Sequence, residues 1–443
     1  MRMCCELTLA TLLFMSCDST QPTIDGGGSS DDGGEGDPDD GGALQPLDGG
    51  RRESAWRVGL PPILDDPPGW WIPAESTRAL YPTGATHSPI TTALATRLRH
   101  IALHSNSLQD NVVMKIGDSI TASNSYLHCF DGDVNNLAPS WEFNIDLGGR
   151  AALADVILHF RSARIGRTTP FGRESRAARV GAGAEFPLTG RTPPLEVELD
   201  ATAAQFATVM YGTNDVGLGG SADIPLDFKL TPYARHLVQL IDWLLARGVV
   251  PVMSTIPPRN DAYEYLGIVE TANAVVRAIA QGRQIPLIDY HREMLPLLEL
   301  GLSSDGMHPS VKDYNSSCHF TPEGLSYGYN TRNLVTLQAL DRLMKTVVDG
   351  VPRLDDDAPT LAGDGSRAAP FDVPSLPFSD LRDVQGLLAN DFDDYGCTNA
   401  RPGTGRDAAY RLTIDAPTTL RAVALDATPL PELDAGTAAP LDV

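Results

Sequence analysis

The chain has 443 residues with 34 basic against 57 acidic side chains, a formal net charge of −23 at pH 7. That length holds an enzyme-sized domain plus something smaller. The acidic balance argues against nucleic acid as a partner, because neutralising phosphates needs clustered Lys and Arg, and no basic groove is apparent. The six cysteines, at 4, 5, 17, 129, 318 and 397, have no zinc-motif spacing; no cofactor is expected.

Residues 1–17 carry Arg2 and an apolar run from Leu7 to Met15, too short for a transmembrane helix but suited to a secretory signal. Its end, Phe14-Met15-Ser16-Cys17, resembles a bacterial lipobox, which implies cleavage and lipidation of Cys17 and so a membrane-anchored protein of the envelope or surface. Ordinary secretion is the alternative. From Asp18 to Gly50 there are nine Asp or Glu and no Lys or Arg, among glycine runs. Such a segment buries too little apolar surface to offset chain entropy, so 18–55 reads as a solvated tether.

Residues 51–90, rich in Pro and Trp, read as an irregular arm on a domain spanning 56–348. Thr91 to His104, with Leu94, Leu98 and Ile101, predicts an amphipathic helix. Val112 to Ile116 then forms an apolar run of strand length, closed by Gly117-Asp118-Ser119. A second run, Ala207 to Tyr211, ends in Gly212-Thr213-Asn214-Asp215. Thr231-Pro232 reads as a helix start, leading to the apolar face of Leu237, Leu240, Ile241, Leu244 and Leu245. Val249 to Thr255 is the next strand, with Pro251 near its start. Ala272 to Ala280 is helical and stopped by Gly282, Ile285 to Asp289 is a strand, and Leu334, Leu337, Leu340, Met344 and Val347 mark a closing helix. Apolar strands alternating with helices predict a parallel sheet covered on both faces. Ligands of such sheets sit beyond the carboxyl ends of the strands, where Ser119 and Asn214 fall.

A serine hydroxyl needs a base to act as nucleophile at neutral pH. Asp305-Gly306-Met307-His308-Pro309 supplies one: a carboxylate three positions before a histidine can hold one ring nitrogen while the other faces a serine. The Asn214 amide can face a developing oxyanion. Taken singly, each block is an ordinary turn. Together and in this order, Gly117-Asp118-Ser119-Ile120, Gly212-Thr213-Asn214-Asp215 and Asp305-Gly306-Met307-His308-Pro309 resemble the SGNH or GDSL hydrolases, over roughly residues 110–348.

The resemblance implies a flavodoxin-like three-layer α/β/α sandwich and ester hydrolysis through an acyl-enzyme without metal. Ser119 would attack, His308 would carry the proton and Asp305 would orient the imidazole. The amides of Ser119 and a glycine, with Asn214, would hold the oxyanion. Two glycines compete for that place. Gly149 lies 65 residues before Asn214 and Gly181 lies 33 before it; one crossover helix and strand need about thirty, which favours Gly181. Residues 131–170 would then be an insertion, with Ala151 to Phe160 a helix near the mouth of the site. In an exported protein two of the three remaining cysteines can pair, and Cys129 with Cys318 is favoured, since each follows a segment assigned to the site.

Beyond a linker over 349–375, residues 376–443 read as β-rich, with Ala409 to Ile414 and Thr418 to Leu425 as strands. They resemble the opening of a pre-peptidase C-terminal β-sandwich; a partial sandwich, a small appendage and a disordered end stay open. Small esters, lipid esters and acylated glycans all fit as substrates. An inactive surface-binding lipoprotein and an acyltransferase are the rival functions.

Overall fold

The computed structural model describes residues 6–9, 54–57, 72–73, 77–131, 145–217, 226–261, 266–312, 316–357, 361–382, 408–416, 420 and 422. The runs read as strands become a parallel sheet of β1 (Gln109–Gly117), β2 (Ala204–Met210), β3 (Val250–Ser254) and β4 (Leu287–Ile288), hydrogen-bonded in that order. Every residue of β2 is buried, as a strand covered on both faces requires. Beyond β1 the segment around Ala178 adds a parallel edge. Gly117 donates to the Ala177 carbonyl at 3.2 Å, and Arg179 donates to the Gly117 carbonyl at 3.1 Å. Counted in chain order, the sheet runs 2-1-3-4-5, the flavodoxin-like order.

Helices α1 (Thr92–Ala102), α2 (Ala154–Arg161) and α6 (Gly328–Leu343) form one layer, with α2 packed on β1 and α6. Helices α3 (Pro194–Thr202), α4 (Leu226–Ala246) and α5 (Leu266–Arg283) form the other. The protein is thus the three-layer α/β/α sandwich expected.

Several elements differ from the sequence reading. Helix α4 begins at Leu226, so Pro232 sits inside it and not at its first position. Helix α5 runs through Gly282 to Arg283, and the left-handed turn falls on Gln284, at φ 48°. The expected insertion near the mouth is corrected as well. Val156, Ile157 and Phe160 of α2 are fully buried, and His159 Nε2 bonds the Asp110 carbonyl at 2.7 Å, at the amino end of β1. The helix is the crossover between β1 and the Ala178 edge, and its last turn lies at the pole opposite Ser119. Residues 132–144 of that region lie outside the described residues.

Pro251 is the second residue of β3, although β3 is not an edge strand. Met253 donates to Pro286 on the β4 side, so the donor that Pro251 lacks would also face that side, before β4 begins. The arm covers the far edge of the sheet. His87 bridges Ile288, Ser88 donates to the Leu287 carbonyl at 2.9 Å, and Asp289 donates to the Thr86 carbonyl at 2.7 Å. This removes an edge that another chain could extend.

At the start of the arm, Ser54 Oγ donates to Asp110 at 3.1 Å and the Trp56 indole donates to the Val347 carbonyl at 2.7 Å. Arg57 donates to the carbonyls of Ala102 and Ser105. At the other end, part of the expected linker is strapped to the domain: Leu354 donates to the Ile90 carbonyl at 2.9 Å, and Asp355 pairs with Arg342. Ser379 bonds Gln281 of α5. The β-rich tail forms one small sheet, in which Ala408–Arg411 pairs in parallel with Phe371–Asp372 and antiparallel with Glu6–Leu9. Glu6–Leu9 belongs to the expected signal segment, so cleavage before Cys17 would remove that strand. The tether over 18–53, Cys397 and all of 418–425 except 420 and 422 lie outside the described residues.

Cys129 and Cys318 are joined, with Cα atoms 5.9 Å apart across 189 residues of chain. The bridge ties the segment after the nucleophile turn to the short strand Cys318–His319, which pairs with Ile145–Asp146. Asn333 of α6 serves both sides, accepting from the Leu127 amide and donating to the carbonyls of Ser125 and Ser317.

Candidate active site

Three strand-end segments meet beyond the carboxyl ends of β1 and β2. The first is the turn after β1. Asp118 is fully buried and caps the short helix Ser119–Ala122, its Oδ1 accepting from the Ile120 amide at 3.0 Å. Gly117 has no substitute here: a Cβ would lie 2.2 Å from Thr121 Oγ1 and 2.5 Å from the Met210 carbonyl. That close approach folds the chain back so that Ser119 faces the mouth.

The second segment is the loop 302–309, which Leu302 and Pro309 close as an antiparallel bridge. His308 Nε2 lies 2.9 Å from Ser119 Oγ, and His308 Nδ1 lies 2.6 Å from Asp305 Oδ2. Asp305 Oδ1 also accepts from Ser303 Oγ at 2.7 Å and from the amides of Met307 and His308 at 3.0 Å each. Partial burial raises the Asp305 pKa, but the His308 and Met307 amides, the His308 ring and Ser303 outweigh it and hold the carboxyl well below the usual range. Asp305 is therefore a fixed anion although its side chain is 50% exposed. Gly306 turns the loop at φ +69°, and a Cβ there would meet Asn260 Oδ1 at 2.4 Å.

The third segment is the short helix Thr213–Gly217 after β2. Asn214 Nδ2 donates one hydrogen bond to the Ala182 carbonyl at 2.9 Å, and the amide carries a second N–H. Asp215 Oδ1 accepts from the Ala184 amide at 2.9 Å. The Asn214 turn thus packs on residues 182–184, immediately after Gly181, which adopts φ +74°. Gly149 lies elsewhere, in the turn after Ile145–Asp146 whose Gly148 packs on the Phe320 carbonyl. Of the two glycines, only Gly181 is placed beside both Gly117 and Asn214.

Two groups that the sequence reading passed over brace these segments. Arg332 of α6 is buried; it donates to the Ile120 carbonyl at 2.6 Å and to Thr121 Oγ1 at 2.8 Å, and its guanidinium stacks 3.7 Å over the Tyr126 ring. Burial pushes the Asp118 carboxyl up to about 6, with Arg332 pulling it back. Arg259 Nη1 donates to the Thr213 carbonyl at 2.8 Å while its fork holds Asp261, and the next residue, Asn260, donates to the Gly306 carbonyl at 2.9 Å. One loop after β3 therefore connects the Asn214 turn to the His308 loop. Arg332 stands among buried Asn330, Thr331 and Asn333, a polar run without apolar period. Only that run of polar residues in a helix closing a core could have drawn attention to it.

Lys115, two residues before Gly117, is buried with its Nζ 2.9 Å from the Phe171 carbonyl. Burial lowers its pKa from 10.5 to about 7, against the pull of Glu198, Asp131 and Glu174. A lysine depressed in the folded state contributes stability fully above its unfolded pKa and loses it as pH falls through about 7. The protein should therefore gain about 2 kcal/mol from this group between about pH 7 and pH 9, at about 1.4 kcal/mol per pH unit. Lys115→Met should flatten that part of the rise in urea midpoints; equal slopes for both proteins would refute it.

Side chains of this kind at these places define a serine-hydrolase class of site on an α/β sandwich. Residues 116–324 match the family model described as "GDSL-like Lipase/Acylhydrolase family", and this part of the chain is an ester-cleaving hydrolase domain of the SGNH/GDSL type. No curated protein matches it. Among solved structures it is similar to a GDSL-like lipase from Bacteroides thetaiotaomicron, with 15% identity over 56% of this chain and 97% of that one and a TM-score of 0.34. An acetylxylan esterase from Geobacillus stearothermophilus matches with 16% identity over 53% of this chain and 96% of that one, at a TM-score of 0.33. A putative acylhydrolase from Bacteroides fragilis matches with 15% identity over 56% and 95%, at 0.29.

Proposed function

We propose that this hydrolase cleaves carboxylic esters through an acyl-enzyme on Ser119. The observation that carries the reading is the unbroken chain Ser119 Oγ, His308 Nε2, His308 Nδ1 and Asp305 Oδ2, with links of 2.9 Å and 2.6 Å. Ser119 Oγ bonds to the ester carbonyl carbon as its proton passes to His308 Nε2, and Asp305 stabilises the imidazolium. The amides of Ser119 and Gly181 and the second N–H of Asn214 receive the oxyanion. Collapse breaks the carbon–oxygen bond to the alcohol, which takes the proton from His308. Water, deprotonated by the same ring, then releases the acid and restores Ser119.

The substrate is a small acyl ester, a lipid ester or an acylated glycan. A fluorophosphonate that labels serine nucleophiles tests the reading: peptide mapping should place a single adduct on Ser119, and an adduct elsewhere would overturn it. We further place the protein outside the cytoplasm, as a lipoprotein anchored through Cys17. The apolar run before Cys17 and the Cys129–Cys318 bridge, a bond of oxidising compartments, support this. Membrane retention of a Cys17→Ser chain would refute the anchor.

A further inference from the structure

The net charge of −23 conceals a local reversal. Residues 161–191 contain seven arginines and two glutamates, with no lysine or aspartate. The fold places the middle of this run along the edge of the site, because Arg179 donates its amide to the Gly117 carbonyl, two residues before Ser119. Gly181 and Ala182 follow directly, the latter bonded to Asn214.

The arginines divide by their surroundings. Arg161 is buried, and Arg173 is held by Glu198 through a two-point pair at 2.9 and 3.2 Å. Arg176 and Arg179 are exposed, and among the described residues neither guanidinium has a carboxylate partner. Arg179 is nonetheless held in place: its guanidinium lies 3.8 Å from the centre of the Phe186 ring. Stacking fixes the plane of the fork and covers one face, while the in-plane N–H donors stay available. Glu185 adjoins Phe186 but forms no ion pair with Arg179.

We infer that Arg179, supported by Arg176, binds an anionic group on the substrate, so that the preferred ester carries a carboxylate or a comparable anion close to the scissile bond. A positive edge beside the mouth directs such molecules there. A planar fork suits a carboxylate better than a point charge does. The inference rests on the Ser119 reading and adds the charge of the substrate to it.

The test compares kcat/KM of the full chain on two matched pairs of esters. One pair is 4-acetoxybenzoate and 4-acetoxybenzamide, with the charge on the alcohol. The other is mono-4-nitrophenyl glutarate and its carbamoyl counterpart, with the charge on the acyl group. The anionic member of at least one pair should be favoured about two- to fivefold at low salt, the size of one exposed charge pair. The preference should fade in high salt and fall to about one in Arg176→Gln/Arg179→Gln. Glu185→Gln should raise it. Equal rates within both pairs, or a preference that survives the double substitution, would overturn the inference and leave the Ser119 reading standing. Failure to hydrolyse any of the four esters would overturn both.

Discussion

Ser119→Ala should lower kcat for 4-nitrophenyl acetate by about 10⁴-fold or more while leaving the urea midpoint nearly unchanged. The oxygen it removes is the one that would form the acyl-enzyme, and it lies 2.9 Å from His308 Nε2. His308→Ala should cost a similar factor, and the double variant little more, because the two act as a unit. Asn214→Ala should cost about 10²- to 10³-fold, the loss of one oxyanion donor. That variant also gives up the bond to Ala182, so its midpoint must be measured alongside its rate. Additive losses in the Ser119/His308 double variant would mean that the two residues do not share one step.

The second large effect is expected from a residue that touches no substrate. Arg332→Met keeps the volume of the side chain but removes the bonds to Ile120 and Thr121, the stack on Tyr126 and the cation acting on buried Asp118. Leaving a buried acceptor unpaired costs about 1–3 kcal/mol, and two are left here, beside a buried carboxyl that loses a nearby cation. The urea midpoint should fall accordingly. Arg332→Lys should recover only part of the loss, since an ammonium cannot reach two acceptors with the geometry of a planar fork. Asp118→Asn combined with Arg332→Met should lose less than the two single changes summed, which a double-mutant cycle would read directly. Strict additivity would show that Asp118 and Arg332 do not act on each other.

The legible parts of this protein are those written in local pattern. Apolar runs of strand length marked β1 to β4, with glycines closing the first two, and the spacing between Gly181 and Asn214 marked the βαβ step that the Ala178 edge completes. The Cys129–Cys318 pair also followed from where the site segments fell. What stayed hidden depends on partners far away in the chain. Helix α2 looked like an insertion because the long stretch before it has no strand pattern; only its burial between β1 and α6 shows that it is part of the core. Thr231-Pro232 has the chemistry of a helix start, and tertiary packing of α4 overrides it. Arg332 and Arg259 carry little sequence signal of their role beyond the polar run around Arg332, since each braces the site through a backbone carbonyl, which any residue supplies.

The attachment of Ser54, Trp56 and Arg57 has an architectural consequence. They grip Asp110, Val347 and the end of α1, all at the amino pole of the sheet, whereas Ser119 opens at the carboxyl pole. Residues 54–57 therefore join the domain on the side away from Ser119, so nothing in that grip narrows the approach of a bulky substrate to the mouth.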